Sequence, residues 1–317
     1  EFGADGTRVF RDPAAEQPQP TVAELFEGYK LTVGNALVAD DAFLNACRNS
    51  DRQNAYLEGA AAIRRMCAAA NGAPVLGVCI GFPANLDPDA AAIVSYAAMD
   101  IQQPTSFAQV FPAFWREVEL PVYLENDANL ACEGEAFLRR GAGGAANMLY
   151  LSIGSGCGGA VRLDGKLRRG ARCRAGEVGA MLLQPALGAP GRSAARETLE
   201  DAVCLAALER RFGAALRDGA QPGEASAQAM RDYLCGPLSG AVYSLVMTLD
   251  VELCVLAGIV PGALGMQLCT QVSEALRAAL PESTPVRVEP SVSADAGVIG
   301  AAATVFERSL DALLGSG

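Results

Sequence analysis

Apolar and polar positions along the chain fall into two alternating patterns. Short, nearly unbroken apolar runs predict buried strands at Pro74–Gly81, Leu120–Leu124, Asn147–Ile153, Glu252–Ala257 and Pro285–Glu289. Longer stretches with apolar residues every three or four positions predict helices at Asn54–Ala70, Leu130–Arg140, Leu199–Phe212, Ala225–Leu249, Ala263–Ala279 and Ala294–Leu314. Asn71-Gly72 and Gly141 supply helix stops, and Gly236-Pro237 predicts an interruption in the fourth helix. Asp164-Gly165 between Ala160 and Leu167 predicts a hairpin with a type I′ turn. Phe82–Asp89 and the proline-bearing stretch Arg11–Thr21 read as turns and loops. Strands alternating with helices, plus a hairpin, predict an α/β fold.

The composition narrows the chemistry. The chain has 317 residues, of which 51% are hydrophobic and 19% charged, so it is globular and long enough for a sizeable core. Its net charge of −11, from 25 basic and 36 acidic residues, argues against nucleic acid or an anionic membrane as partner. The longest apolar stretch, Leu253–Met266, is broken by Gly258, Pro261, Gly262 and Gly265 and is too short to span a bilayer. There is no histidine, which removes His-based triads, His general bases and His-containing zinc sites. None of the ten cysteines forms a C-x-x-C pair, and most lie in apolar runs, as expected of reduced thiols in a cytoplasmic protein.

Three places carry candidate chemistry. Gly154, Gly156 and Gly159 fit G-x-G-x-x-G after a strand, but a hairpin follows where a dinucleotide fold needs a helix. The loop Gly154-Ser155-Gly156-Cys157-Gly158-Gly159 is then either a phosphate cradle or a tight turn without a ligand. Asp127, past a strand end and beside Asn126 and Asn129, is either a general base or one of a pair, with Asn126, that caps the next helix. Glu177, between Gly176 and Gly179, belongs either to a turn or to a hydroxyl-binding group. Glu200, at the head of a helix, suits the helix dipole.

Taken in order, several segments resemble the ROK family of bacterial sugar kinases and sugar-responsive repressors. They are Val75–Pro83, Leu-Pro-Val-Tyr-Leu-Glu-Asn-Asp-Ala-Asn over 120–129, Leu149–Gly159, Asp164–Leu167, Gly170-Ala171, Ala-Gly-Glu-Val-Gly over 175–179, Val255–Gly258 and Asp295–Ala302. The resemblance covers roughly residues 74–310. It implies an actin-like (ribonuclease H-like) two-lobed ATPase fold, with a smaller lobe over 1–124 and a larger one over 125–317 to which the last helix need not be confined. It further implies that Asp127 deprotonates a sugar hydroxyl while Asn126 and Glu177 hold sugar hydroxyls. Glu200 could contact the sugar too, and Gly154–Gly159 would hold the phosphates of ATP carried with Mg²⁺. Gly258 would lie near the nucleoside, and the protein would be a homodimer.

The departures from the family pattern are specific. The zinc-binding His is replaced by Ala180, and the three zinc cysteines by Gly191, Ser193 and Thr198, so no zinc is expected. Residues 96–100 lack the sugar-binding Asn that the family places before the Asp127 strand. Only Asp5-Gly6-Thr7 remains of the family's first phosphate loop. No DNA-binding helix-turn-helix is visible, which counts against a repressor. Two readings follow: a kinase acting on a hexose or N-acetylhexosamine, and a sugar-sensing protein on the same fold with impaired catalysis.

Overall fold

The computed structural model describes residues 59–61, 63–65, 67–68, 75–96, 100–140, 144–183, 197–213, 216 and 222–314. The chain divides into two compact units. The smaller takes in the described residues up to Val78 and those from Phe107 to Val122. It includes helices α1 (Phe107–Val110) and α2 (Pro112–Glu117), joined by an aromatic cluster in which the Phe107 and Phe111 rings lie 4.8 Å apart. Phe107, Phe111 and Phe114 are buried, so the elements are held mainly by ring packing.

The larger unit carries every predicted site residue that the structure describes. It takes in all but the first residue of β1 (Val78–Phe82) and of its partner β5 (Val122–Asn126). An antiparallel sheet of β2 (Asn85–Asp87), β3 (Ala92–Ser95) and β4 (Thr105–Ser106) follows. The region from Phe82 to Asp89, expected to be turn alone, therefore contains a strand. Three residues between prolines give too short a pattern to show the period of two.

The central sheet contains β6 (Met148–Ile153), β7 (Cys157–Leu163), β8 (Lys166–Arg168), β9 (Leu253–Ala257) and β10 (Arg287–Pro290), in the order β10-β9-β6-β7-β8. β6, β7 and β8 are antiparallel neighbours, whereas β6, β9 and β10 run parallel. This is the ribonuclease H-like sheet that the resemblance implies. Asp164 and Gly165 both have positive φ, as a type I′ turn requires. All of Leu253–Ala257 is buried because both sheet faces are covered.

One face packs against α4 (Leu199–Val203), α5 (Leu205–Phe212), α6 (Glu224–Leu249) and α8 (Met266–Ala279), with α7 (Ile259–Leu264) beside them. The other packs against α3 (Asp127–Leu138) and α9 (Ala296–Leu314). Helices α3 and α9 meet backbone to backbone. A Cβ on Gly134 would lie 1.8 Å from the Ala296 carbonyl oxygen, and one on Gly300 equally close to that of Leu130.

Several expected boundaries move. Helix α6 runs unbroken through Pro237, since Leu234, Leu238, Ala241 and Val242 all bury on its core side and packing overrides the lost hydrogen bond. The expected 199–212 helix breaks at Cys204, whose extended ψ lets the Leu205 N–H bond Gly154 O at 2.8 Å. The expected 263–279 helix starts afresh at Met266, because Gly265 takes a φ of 70°. No helix among the described residues is long and apolar enough to cross a membrane.

Candidate active site

Strand β5 carries straight into α3, and the junction fixes the first group of residues. Asn126 takes the N-cap: its Oδ1 accepts from Ala128 N at 2.9 Å and Asn129 N at 3.1 Å, and its Nδ2 donates to Ala84 O at 3.2 Å. The cap is therefore Asn126, and Asp127 becomes the first helical residue. Its carboxylate lies at the positive end of α3 and accepts from Ala128 N at 2.9 Å. Asp127 is exposed by surface area, but the protein packed around its carboxylate disfavours the charged form. Burial therefore holds it above the usual carboxylate range, against the pull of the backbone N–H groups.

Behind this junction Glu125 is buried. Its Oε1 accepts from Asn126 N at 3.0 Å and Asn129 Nδ2 at 2.8 Å. Its Oε2 accepts from Arg169 Nε at 2.8 Å and Nη2 at 2.5 Å, a two-pronged ion pair. Glu125 thus ties the end of β8 to the start of α3. No local pattern reveals the pair, because its partners lie 44 residues apart.

The glycine motif divides into two parts. Gly154-Ser155-Gly156 is the turn itself, closed by Gly154 N donating to Gly156 O at 2.9 Å. Gly158 and Gly159, expected in the loop, belong to β7. Gly159 is a packing glycine: its Cβ would fall 2.9 Å from the carbonyl oxygens of Gly176 and Tyr150. Gly179 presses in the same way on Cys157 O. The Gly-Glu-Val-Gly segment and the glycine strand are therefore complementary backbones, and side chains are excluded where they touch. Gly154 has open space around it, so a ligand's approach is unobstructed there.

Gly258 follows β9, and Gly154 follows the adjacent parallel strand β6. Both lie at carboxyl ends of strands, where ligands gather in α/β sheets. Gly258 has φ 93°, and its Cβ would lie 2.5 Å from Ile153 O, so the backbone requires glycine whether or not a nucleoside binds nearby.

Glu200, in the first turn of α4, accepts from Cys157 N at 2.8 Å through Oε2. Glu177 precedes a short 3-10 turn, Val178–Ala180. Burial raises its carboxyl, Arg174 lowers it, and Glu200 and Asp127 each raise it further. Glu177 thus feels the charges of the other two acids expected at the site. Residues not expected from the sequence join them. Asn85 Nδ2 donates to Glu177 Oε1 at 2.9 Å, in the amide orientation that satisfies all its neighbours, and Arg174 lies beside the same carboxylate. The Cys157 thiol is buried and pushed up to about 12, so it is no nucleophile.

Asp5, Gly6 and Thr7 lie outside the described residues, as do Gly191 and Ser193. Thr198, at a position the family gives to a zinc cysteine, is the N-cap of α4. Its Oγ1 accepts from Asp201 N at 3.2 Å, and Asp201 Oδ2 accepts from Thr198 N at 3.0 Å. Leu199 N donates to Met181 O at 2.8 Å and Leu183 N to Glu197 O at 3.0 Å. Glu200 is therefore held by a capping box and backbone pairing. Ala180 and Thr198 offer neither imidazole nor thiolate, so these residues do not fit a zinc ion.

The chain is similar to known proteins over most of its length. It is 34% identical to a glucokinase of Halalkalibacterium halodurans over 141 residues, which are 42% of this chain and 40% of the relative. The chain thus spans less than half the length of that curated relative. Among solved structures, it resembles the ROK hexokinase from Thermus thermophilus, with a TM-score of 0.62, 26% identity, and coverage of 81% of this chain and 87% of that one. It also shares the fold of a ROK family glucokinase from Streptomyces griseus in complex with glucose and AMPPNP, with a TM-score of 0.60, 22% identity and coverage of 79% and 88%. The family model described as ROK family matches residues 31–308. With that match and the actin-like α/β fold, the chain belongs to the ROK family.

Proposed function

We propose that this chain is an ATP-dependent sugar kinase acting on a hydroxyl of a hexose or an N-acetylhexosamine. The observation that carries this reading is Asp127: a carboxylate at the end of β5, freed from capping by Asn126 and held above its usual range by burial. A base with a raised pKa is better matched to taking a proton near neutral pH. The sugar hydroxyl oxygen attacks the γ-phosphorus of ATP, its proton passes to Asp127, and the bond to the β-phosphate oxygen breaks to release ADP. Glu177, which feels the charges of Asp127 and Glu200, would accept from neighbouring sugar hydroxyls together with Glu200. Asn126 has a second Nδ2 hydrogen to offer beyond the one given to Ala84.

The Gly154-Ser155-Gly156 turn would hold ATP phosphates, with open space at Gly154 for their approach. Gly158 follows it on the exposed side of β7, and Gly159 is the packing point beneath. Gly258 would lie beside the nucleoside. Among the described residues no group of three or more acids or cysteines is set to hold a metal unaided. Mg²⁺ would enter as the Mg–ATP complex, bound mainly by phosphates and water. Asp5, Gly6 and Thr7 would complete the phosphate site from the N-terminal segment. A cytoplasmic homodimer without zinc or nucleic acid belongs to the same reading.

The test is ADP release measured by a coupled assay over a panel of hexoses and N-acetylhexosamines. Sugar-dependent release is expected for at least one member. Tight binding of sugar or Mg–ATP without any release would overturn the kinase reading and support a sensor.

A further inference from the structure

Glu177 does not stand alone in the site. Asn85 and Ser95 are cross-strand partners in the β2–β3 pair, and the register slips between Asn85 and Leu86. A bulge of this kind re-aims a side chain. Here it sends the Asn85 amide toward the segment that carries Glu177. In the orientation that satisfies its surroundings, Asn85 Nδ2 donates to Glu177 Oε1 and to Cys173 O, both at 2.9 Å, and its Oδ1 accepts from Ser95 Oγ at 3.1 Å. The opposite orientation would set the amide oxygen against a carbonyl and a carboxylate.

Arg174 Nη2 in turn donates to Ser95 Oγ at 3.2 Å. The donors therefore run in one direction: guanidinium to hydroxyl, hydroxyl to amide, amide to carboxylate. Such a chain polarises toward its end and favours ionised Glu177. The segment it grips contains three residues with positive φ, Gly170, Cys173 and Gly176, and lies in turns rather than in a helix or strand. Asn85 bonds both the backbone of this segment and the carboxylate that it presents.

We propose that Asn85 is a positioning residue for sugar binding, acting through Glu177 with Ser95 and Arg174 behind it. This rests on the kinase reading, but its contact with Glu177 is testable without it. Asn85→Ala removes the donor. Asn85→Asp keeps the volume but cannot donate, so both should raise the sugar KM by about ten- to a hundredfold, the worth of one hydrogen bond to a charged group. The kcat and the KM for ATP should change by less than a few fold. A role in packing alone would leave the Glu177 titration where it is in the unsubstituted protein. In a Glu177→Ala background, Asn85→Ala should cost nothing further.

Independently, ¹³C NMR of the Glu177 carboxyl should show its titration moving to higher pH in Asn85→Ala, because the lost donor favoured the ionised form. The other charges facing Glu177, namely Arg174, Glu200 and Asp127, are unchanged by that substitution. An unaltered Glu177 titration, or an unaltered sugar KM in an active enzyme, would overturn the proposal. Absence of turnover in the unsubstituted protein would overturn the kinase reading instead, and the Glu177 titration would still decide the role of Asn85.

Discussion

The Cys157 N–H donates to Glu200 Oε2 at 2.8 Å, so the first turn of α4 is latched to the turn between β6 and β7. One contact thereby joins a residue expected to face sugar to a turn expected to face phosphate. Glu200→Ala leaves that N–H without its acceptor and should weaken both Mg–ATP and sugar binding, by about tenfold each for a charge-assisted bond. Glu200→Gln keeps an acceptor oxygen and should lose less. Titration calorimetry on both variants checks the order.

Arg169 is the second lever. Its guanidinium neutralises Glu125, which is buried behind the start of α3. Arg169→Ala leaves that charge unpaired and should cost about 3 kcal/mol of stability. Arg168, one residue earlier, pairs with exposed Asp164, and Arg168→Ala should cost less than about 1 kcal/mol. Urea denaturation of the two variants gives the comparison directly.

Gly134 reverses an ordinary helix rule. Exchange of glycine for alanine inside a helix normally stabilises by about 1 kcal/mol. Here the added methyl would enter the Ala296 carbonyl. Gly134→Ala should therefore destabilise by about 3 kcal/mol or more, the cost of overpacking a close contact. A stabilised variant in thermal or urea unfolding would show that α3 and α9 do not cross at these glycines.

Asp127 links function to stability with a definite sign. Its carboxyl is raised in the folded protein, so ionising it costs folding free energy at neutral pH. Asp127→Asn should accordingly raise the melting temperature near pH 7. The gain should fade as pH falls toward the unfolded value of about 3.9, where the native aspartate is protonated in both states. Melting curves of the two proteins between pH 4 and 8 test the sign.

The parts of this site legible in the sequence are those encoded locally. The apolar run to Ile153, the glycines after it and Asp164-Gly165 specify a strand, a turn and a hairpin within twenty-one residues. Glu-Asn-Asp at a strand end places a carboxylate beside a helix start, although the sequence left open which residue would cap it. What escaped depends on distant partners. Asn85 is aimed by a bulge and meets Glu177 from 92 positions away, and Arg169 reaches Glu125 from 44 positions away. The break at Cys204 has the same origin, since the Leu205 N–H leaves the helix to bond Gly154. Glycine identity alone also could not separate Gly154, which faces open space, from Gly159, which faces backbone.

The most direct test compares ADP release by the unsubstituted protein and Asp127→Asn at saturating sugar and Mg–ATP, with sugar binding to each measured by calorimetry. The variant is expected to bind sugar within a few fold of the unsubstituted protein and to lose about 10²–10⁴ of its turnover, the worth of a general base. Equal turnover in the two proteins would contradict the role of Asp127 as the base that takes the sugar hydroxyl's proton.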